Sequence, residues 1–284
     1  DDLRQARGAV LGTVRAATAR SDHADLLTAL GIAADQGRQS GDSVRILVVD
    51  NGLSDTGPVD IAAPGMSTAD PSDVGAFVAS RGSCPASLAG TSMTMYGAGY
   101  GVAPQEVLST QQMGSVGRIW QEVIAACGGH LDLVPTPRTD PGPDTPFRVE
   151  PVAPLPAPTM TAMPAGQTLE FTGESALTFA ADSAELRDPG AARTALAELA
   201  DYLRGGPSRT VTISGTTSNG PTAWPAYVDL ARARSETVKA LLVAEFGVLP
   251  QQIRCEGLGY VADPPVVDPA TAALNRRTRI HVDS

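Results

Sequence analysis

The sequence predicts a chain of two domains. Residues 1–152 read as an α/β layered domain with a mostly parallel sheet, and residues 167–284 as an α+β sandwich. Three observations carry this. Helix and strand signals alternate through the first half with short connections, which is the pattern of a layered sheet. A proline-rich stretch then interrupts the chain between Val134 and Gln167. Beyond it the signals return in the order β-α-β-α-β-β, which packs helices on one face of one sheet.

In the first half, "LRQARGAVLGTVRAATAR" has helical spacing. "VRILVVD" is a short apolar run ended by the turn "NGLSDTG", as expected of a buried parallel strand. "DPSDVGAFVASRG" opens a helix with Asp70 as N-cap and Pro71 at the first helical position. "TSMTMYG" and "HLDLVP" read as strands, and between them "STQQMGSVGRIWQEVIAACGG" is an amphipathic helix closed at Gly128. "FRVEPV" alternates as a last edge strand. Proline at the density of residues 153–166 forbids a helix and leaves a linker. A linker so poor in apolar surface predicts halves that fold independently.

In the second half, "ALTFAADSAEL" reads as a strand and turn. "DPGAARTALAELADYLRGG" is a helix with Ala195, Leu196, Leu199 and Leu203 on one side. "RTVTISGTTS" alternates at period two. "YVDLARARSETVKALLVAEFGV" is a longer helix with Leu230, Val238, Leu241 and Leu242 inward, and "IRCEGLGY" and "NRRTRIHV" are closing strands. Alternation in the last strand puts Arg277, Arg279 and His281 on one face.

Charge excludes one class of partner. Net charge is -10, and residues 1–150 carry 17 acids against 10 bases. Neither half offers the basic field of a nucleic-acid binder. No apolar run approaches the roughly 18–20 residues of a membrane span. The chain begins at Asp1 without a signal peptide, and is expected to be a soluble piece of something longer, membrane-associated only through an upstream anchor. Three cysteines without CxxC spacing and three histidines argue against a zinc site. Cys84 and Cys127 are able to pair in an oxidising compartment, with two buried free thiols as the equal reading.

The ordered pieces "LTFAADSAEL", "VTISGTTSNG", "DLARARSETVKALLVAEFGV", "QQIRCEGLGY" and "NRRTRIHV" make the second half resemble the OmpA-like domain of OmpA, Pal and MotB proteins. More faintly, "VVDNGLSDTG" and "APQEVLST" make the first half resemble the α/β regions preceding such domains in actinobacterial envelope proteins. The resemblance implies a non-enzymatic, extracytoplasmic cell-envelope protein that associates with peptidoglycan of the diaminopimelate type. It implies no cofactor and no metal.

In that family a pocket holds the free carboxylate and amine of diaminopimelate. A zwitterionic ligand end needs a fixed cation for its carboxylate and an anion for its ammonium. Arginine suits the first task because its planar fork bonds a carboxylate through two parallel hydrogen bonds. The family's arginines correspond to Arg234 and to Arg276, which follows Asn275. Its G-H-T-D turn is "GTTS" here, with Thr216 in the histidine's place, then Thr217 and Ser218, followed by Asn219. Ser218 therefore stands where the family has the ammonium-binding aspartate. A hydroxyl accepts a hydrogen bond but supplies no charge, which implies weakened or altered specificity. Asp229 is five residues before Arg234 and on another helix face, as a solvated helix-start acid.

Two other functional classes remain open. One is a protein-contacting scaffold that keeps the fold without peptidoglycan binding. The other is an enzyme with its site over "DNGLSDTGPVD" and "GYGVAPQE". The loop from Asp50 to Asp55 follows a strand end, a common ligand position in α/β sheets. It reads D-x-x-x-S rather than the D-x-S-x-S of a von Willebrand A metal loop. "GAGYG" lacks a phosphate-loop pattern, and no G-x-S-x-G elbow supports a hydrolase built from His23, Ser54 and Asp50.

Overall fold

The computed structural model describes residues 2–39, 44–137, 145–154, 165–172, 177–180, 182–218, 224–260 and 266–283. The first half contains helices α1 (Asp2–Ala16), α2 (Leu26–Arg38), α3 (Pro71–Ser80) and α4 (Thr110–Ala126) and strands β1 (Arg45–Val49), β2 (Ser92–Tyr96) and β3 (His130–Val134). The strands form a parallel sheet in the order β1-β2-β3. Met93, Met95, Val48 and Leu131 turn one face towards α2, α3 and α4, whose Leu27, Leu30, Val74, Val78, Ile119, Trp120 and Ile124 complete the core. On the other face Leu47 and Val49 are 67% and 79% exposed. The β1 segment is thus buried on one side only, where its apolar run predicted two.

Local chemistry accounts for the helix starts. Asp70 accepts from Ser72 N at 3.1 Å ahead of Pro71, and Ser109 and Gln112 form a reciprocal capping box on α4. Helix α2 follows its N-cap Asp25, which accepts from Thr28 N. "FRVEPV" is not a strand: its backbone is held by side chains, Glu150 N donating to Asp55 and Val152 N to Gln105. A disulfide joins Cys84 to Cys127, the C-cap of α4, closing 43 residues of chain.

The second half contains β4 (Thr168–Thr172), α5 (Pro189–Arg204), β5 (Val211–Thr217), α6 (Trp224–Phe246), β6 (Ile253–Tyr260), α7 (Pro269–Asn275) and β7 (Arg277–Val282). The sheet order is β4-β7-β5-β6, with β5 and β6 parallel and the remaining pairs antiparallel. Two expectations are corrected. The first strand is "TLEFT", not "ALTFAADSAEL", whose described residues meet through an isolated bridge between Phe179 and Leu186. A further helix, α7, precedes the last strand. Helix α5 buries Leu196, Leu199 and Leu203 and α6 buries Val238 and Leu242, while Leu230 and Leu241 are half-buried. Buried Thr278, Ile280 and Val282 alternate with Arg277, Arg279 and His281 as the period of two requires.

The cores meet at α7. Ala270 and Ala273 lie in the first core although α7 belongs to the second half of the chain. Gly65 permits the contact: its φ is 87°, and a Cβ there would lie 2.5 Å from the Ala270 carbonyl. The halves therefore share apolar surface, contrary to what the composition of residues 153–166 implied. Of that proposed linker, residues 155–164 lie outside the described residues.

Candidate functional site

Helix α6 approaches the sheet closely where β5 ends. A Cβ on Gly215 would lie 2.5 Å from the Ala231 carbonyl, so glycine lets α6 seat there. One turn on, Arg234 is only 7% exposed. Its Nε donates to the Ser183 carbonyl at 2.9 Å and Nη2 to the Ala180 carbonyl at 3.5 Å. Its guanidinium also lies 5.3 Å from the Phe179 ring centroid. Arg234 thus anchors the turned-back segment that carries Asp182, and Thr237 helps by donating to the Ala184 carbonyl. Burial lowers the Arg234 pKa to about 10, with Arg276 and Arg187 acting the same way and Asp182 opposing them. The group stays charged at neutral pH.

The end of β5 is tied to the α7–β7 junction. Thr216 Oγ1 donates to the Asn275 carbonyl at 2.7 Å and accepts from Arg277 N at 3.1 Å. Asn275 is buried, and Arg276 follows it as the C-cap of α7. Thr217 is also buried, and its Oγ1 has no hydrogen-bond partner among the described residues. Ser218 ends the turn half-exposed, while Asn219 lies outside the described residues. Thr216, Asn275 and Arg276 are therefore in one place, with Arg234 electrostatically coupled to Arg276.

Sequence reasoning missed what faces Arg276. Asp73, in the first turn of α3, places Oδ2 3.7 Å from Arg276 Nη1. Beside it Asp70 Oδ2 lies 3.4 Å from Arg187 Nη2. Arg187 immediately precedes Asp188, the N-cap of α5. The cluster thus comprises Arg187, Arg234 and Arg276 with Asp70, Asp73 and Asp182, drawn from both halves. Burial opposes ionisation of Asp70, but the Ser72 hydroxyl and amide, Arg276 and Arg187 outweigh it and hold the pKa low. Asp73 goes the other way: burial, then Asp70 and Asp182, raise its pKa against the pull of Arg276. Burial depresses the Arg276 pKa, while Asp70 and Asp73 support its charge. A shared Asp-Pro helix start, at residues 70–71 and 188–189, is the sequence signal that locates both α3 and Arg187.

Other candidates have structural partners. Arg277 and Arg279 both pair with Glu170 of β4, at 3.2 and 3.0 Å. Asp50 accepts from Gly52 N, and Ser54 accepts from Leu26 N. His23 meets Asp55 at 3.2 Å, not Asp50. Asp55 also accepts from Ala24 N and Glu150 N, so this loop holds neighbouring chain in place. Among the described residues no group of three His, Cys, Asp or Glu is arranged to hold a metal ion, and no helix is long and apolar enough to cross a membrane.

Comparison with known proteins places the second half. No curated protein matches the chain in sequence. Similar solved structures include the periplasmic domain of Helicobacter pylori MotB, 20% identical, covering 42% of this chain and 85% of that one with a TM-score of 0.35. The peptidoglycan-associated lipoprotein from Burkholderia pseudomallei is 27% identical, covering 39% of this chain and 95% of that one with a TM-score of 0.33. A putative MotB-like protein from Desulfovibrio vulgaris is 26% identical, covering 41% and 72% with a TM-score of 0.34. The OmpA family model matches residues 178–279, a span that begins at the segment anchored by Arg234 and ends in β7. Residues 178–279 of this chain form a domain of the OmpA family.

Proposed function

We propose that this is a non-enzymatic cell-envelope protein whose OmpA-family domain associates with peptidoglycan stem peptides, with specificity altered by serine at position 218. The observation that carries the reading is the position of Arg276. It is held beside the β5 turn through the Thr216–Asn275 hydrogen bond, and about a quarter of its side chain is open to solvent. Arg234 has already committed its Nε and Nη2 to backbone carbonyls, so its contribution to a ligand carboxylate is mainly its charge. Direct contact with the ligand carboxylate therefore falls to Arg276. Ser218 contributes no charge, which favours weak association. The Cys84–Cys127 disulfide fits an extracytoplasmic location, where such bonds persist.

The test is co-sedimentation of the whole chain with purified diaminopimelate-type peptidoglycan, followed by titration with the free stem peptide. Wild type should bind both, and Arg276→Ala should lose about tenfold or more, as expected when a charge-assisted contact is removed. Equal sedimentation with and without the glycan, or an unaffected Arg276→Ala variant, would overturn the reading.

A further inference from the structure

The OmpA-family domain offers cations for a ligand carboxylate, but its turn lacks the acid for the ligand's ammonium. We infer that Asp73, on the first half of the chain, supplies that carboxylate, so that a zwitterionic ligand end is bound across the seam between the halves. The inference rests on the peptidoglycan reading and adds a residue that no feature of the OmpA-family domain itself contains.

Geometry brings Asp73 to the right place. Thr216 holds Asn275, the next residue Arg276 faces Asp73, and Ala270 and Ala273 lock α7 into the first core. Asp73 is therefore positioned relative to the turn by a packed helix. The ammonium and carboxylate of an amino-acid end hang from one carbon, and adjacent Asp73 and Arg276 present the complementary pair of charges.

Partner accounting separates Asp73 from Asp70. Asp70 is committed: Oδ1 accepts from the Ser72 amide and hydroxyl, and Oδ2 faces Arg187. Asp73 meets Arg276 at 3.7 Å, beyond hydrogen-bond length, and its side chain is 55% exposed. Burial, then Asp70 and Asp182, raise its pKa against the pull of Arg276, so a further cation beside it would favour its charged form. The separation also argues against Asp73 acting as a plug on the arginine, because a bound carboxylate would close to roughly 2.7–2.9 Å.

The experiment titrates the whole chain with two probes: a stem peptide carrying diaminopimelate with its side-chain amine free, and the same peptide acetylated on that amine. Wild type should prefer the free amine by about tenfold. Asp73→Asn should erase this preference, so that both peptides bind alike, with an unchanged far-UV circular dichroism spectrum and melting temperature reporting an intact fold. Asp73→Glu should retain part of the preference. An undiminished preference in Asp73→Asn overturns the inference while leaving the peptidoglycan reading standing. Tighter binding of the free-amine peptide by Asp73→Asn overturns it too, because Asp73 would then compete with the ligand. Wild type binding neither peptide would remove the parent reading and this inference together.

Discussion

Arg234 donates through Nε to the Ser183 carbonyl at 2.9 Å, which makes a proposed ligand arginine a strut of its own domain. The side chain is 7% exposed, so its charged head is satisfied by protein groups rather than by bulk water. Arg234→Ala should therefore destabilise the chain by about 2–3 kcal/mol in urea unfolding, the cost of losing a buried charged donor's hydrogen bonds. Arg276→Ala, at a partly open C-cap, should cost much less. Equal stability losses would mean that the turned-back segment does not depend on Arg234, and weakened peptide binding by Arg234→Ala has to be judged against its fold.

Ser218→Asp restores a carboxylate to the turn. Because position 218 is half-exposed, the new charge remains well solvated and its interaction with a ligand ammonium is modest. Binding of the free-amine stem peptide should tighten by roughly 1–2 kcal/mol, with little change for the acetylated peptide. Calorimetric titration of both peptides reads this directly, and a gain shared by both would show that the substitution acts on something other than the ammonium.

Thiol chemistry should distinguish the cysteines. Cys84 and Cys127 are bonded to each other, leaving Cys255 as the free thiol. Burial, with Glu236 adding to it, pushes the Cys255 pKa up to about 12, so little thiolate exists near neutrality. Alkylation of the native protein should be slow, and denaturation without reductant should release one fast-reacting thiol. Three fast thiols under those conditions would contradict the disulfide.

Asp55 gives a signature in acid. Burial opposes its ionisation, but hydrogen bonds from Ala24 N and Glu150 N, with His23, outweigh it and hold the pKa below the ordinary carboxylate value. A depressed folded pKa means that the unfolded chain binds the proton first as pH falls. The stabilisation is complete above the unfolded value of about 3.9 and is lost as pH drops through the folded one. Asp55→Asn should therefore be less stable than wild type at neutral pH, and the gap should narrow in acid. A pH-independent difference would place the effect in packing rather than in the charge.

The local elements of this protein were largely legible in its sequence. The Asp70–Pro71 helix start, the strand alternation from Arg277 to Val282 and the leucine stripe of α5 depend on residues within a turn or two of one another. The same holds for the OmpA-family character of the second half, which rests on ordered pieces with local spacing. What needed tertiary structure was everything set by distant partners. "FRVEPV" alternates like a strand, yet Asp55 and Gln105 take up its backbone hydrogen bonds. "ALTFAADSAEL" has strand character, but Arg234 and Thr237 hold it in a turn while "TLEFT" pairs with β7. Composition made residues 153–166 look like a separator, whereas two alanines of α7, unremarkable in sequence, join the cores. That packing brings Asp73 to Arg276, and no local periodicity encodes a contact between charges some 200 residues apart.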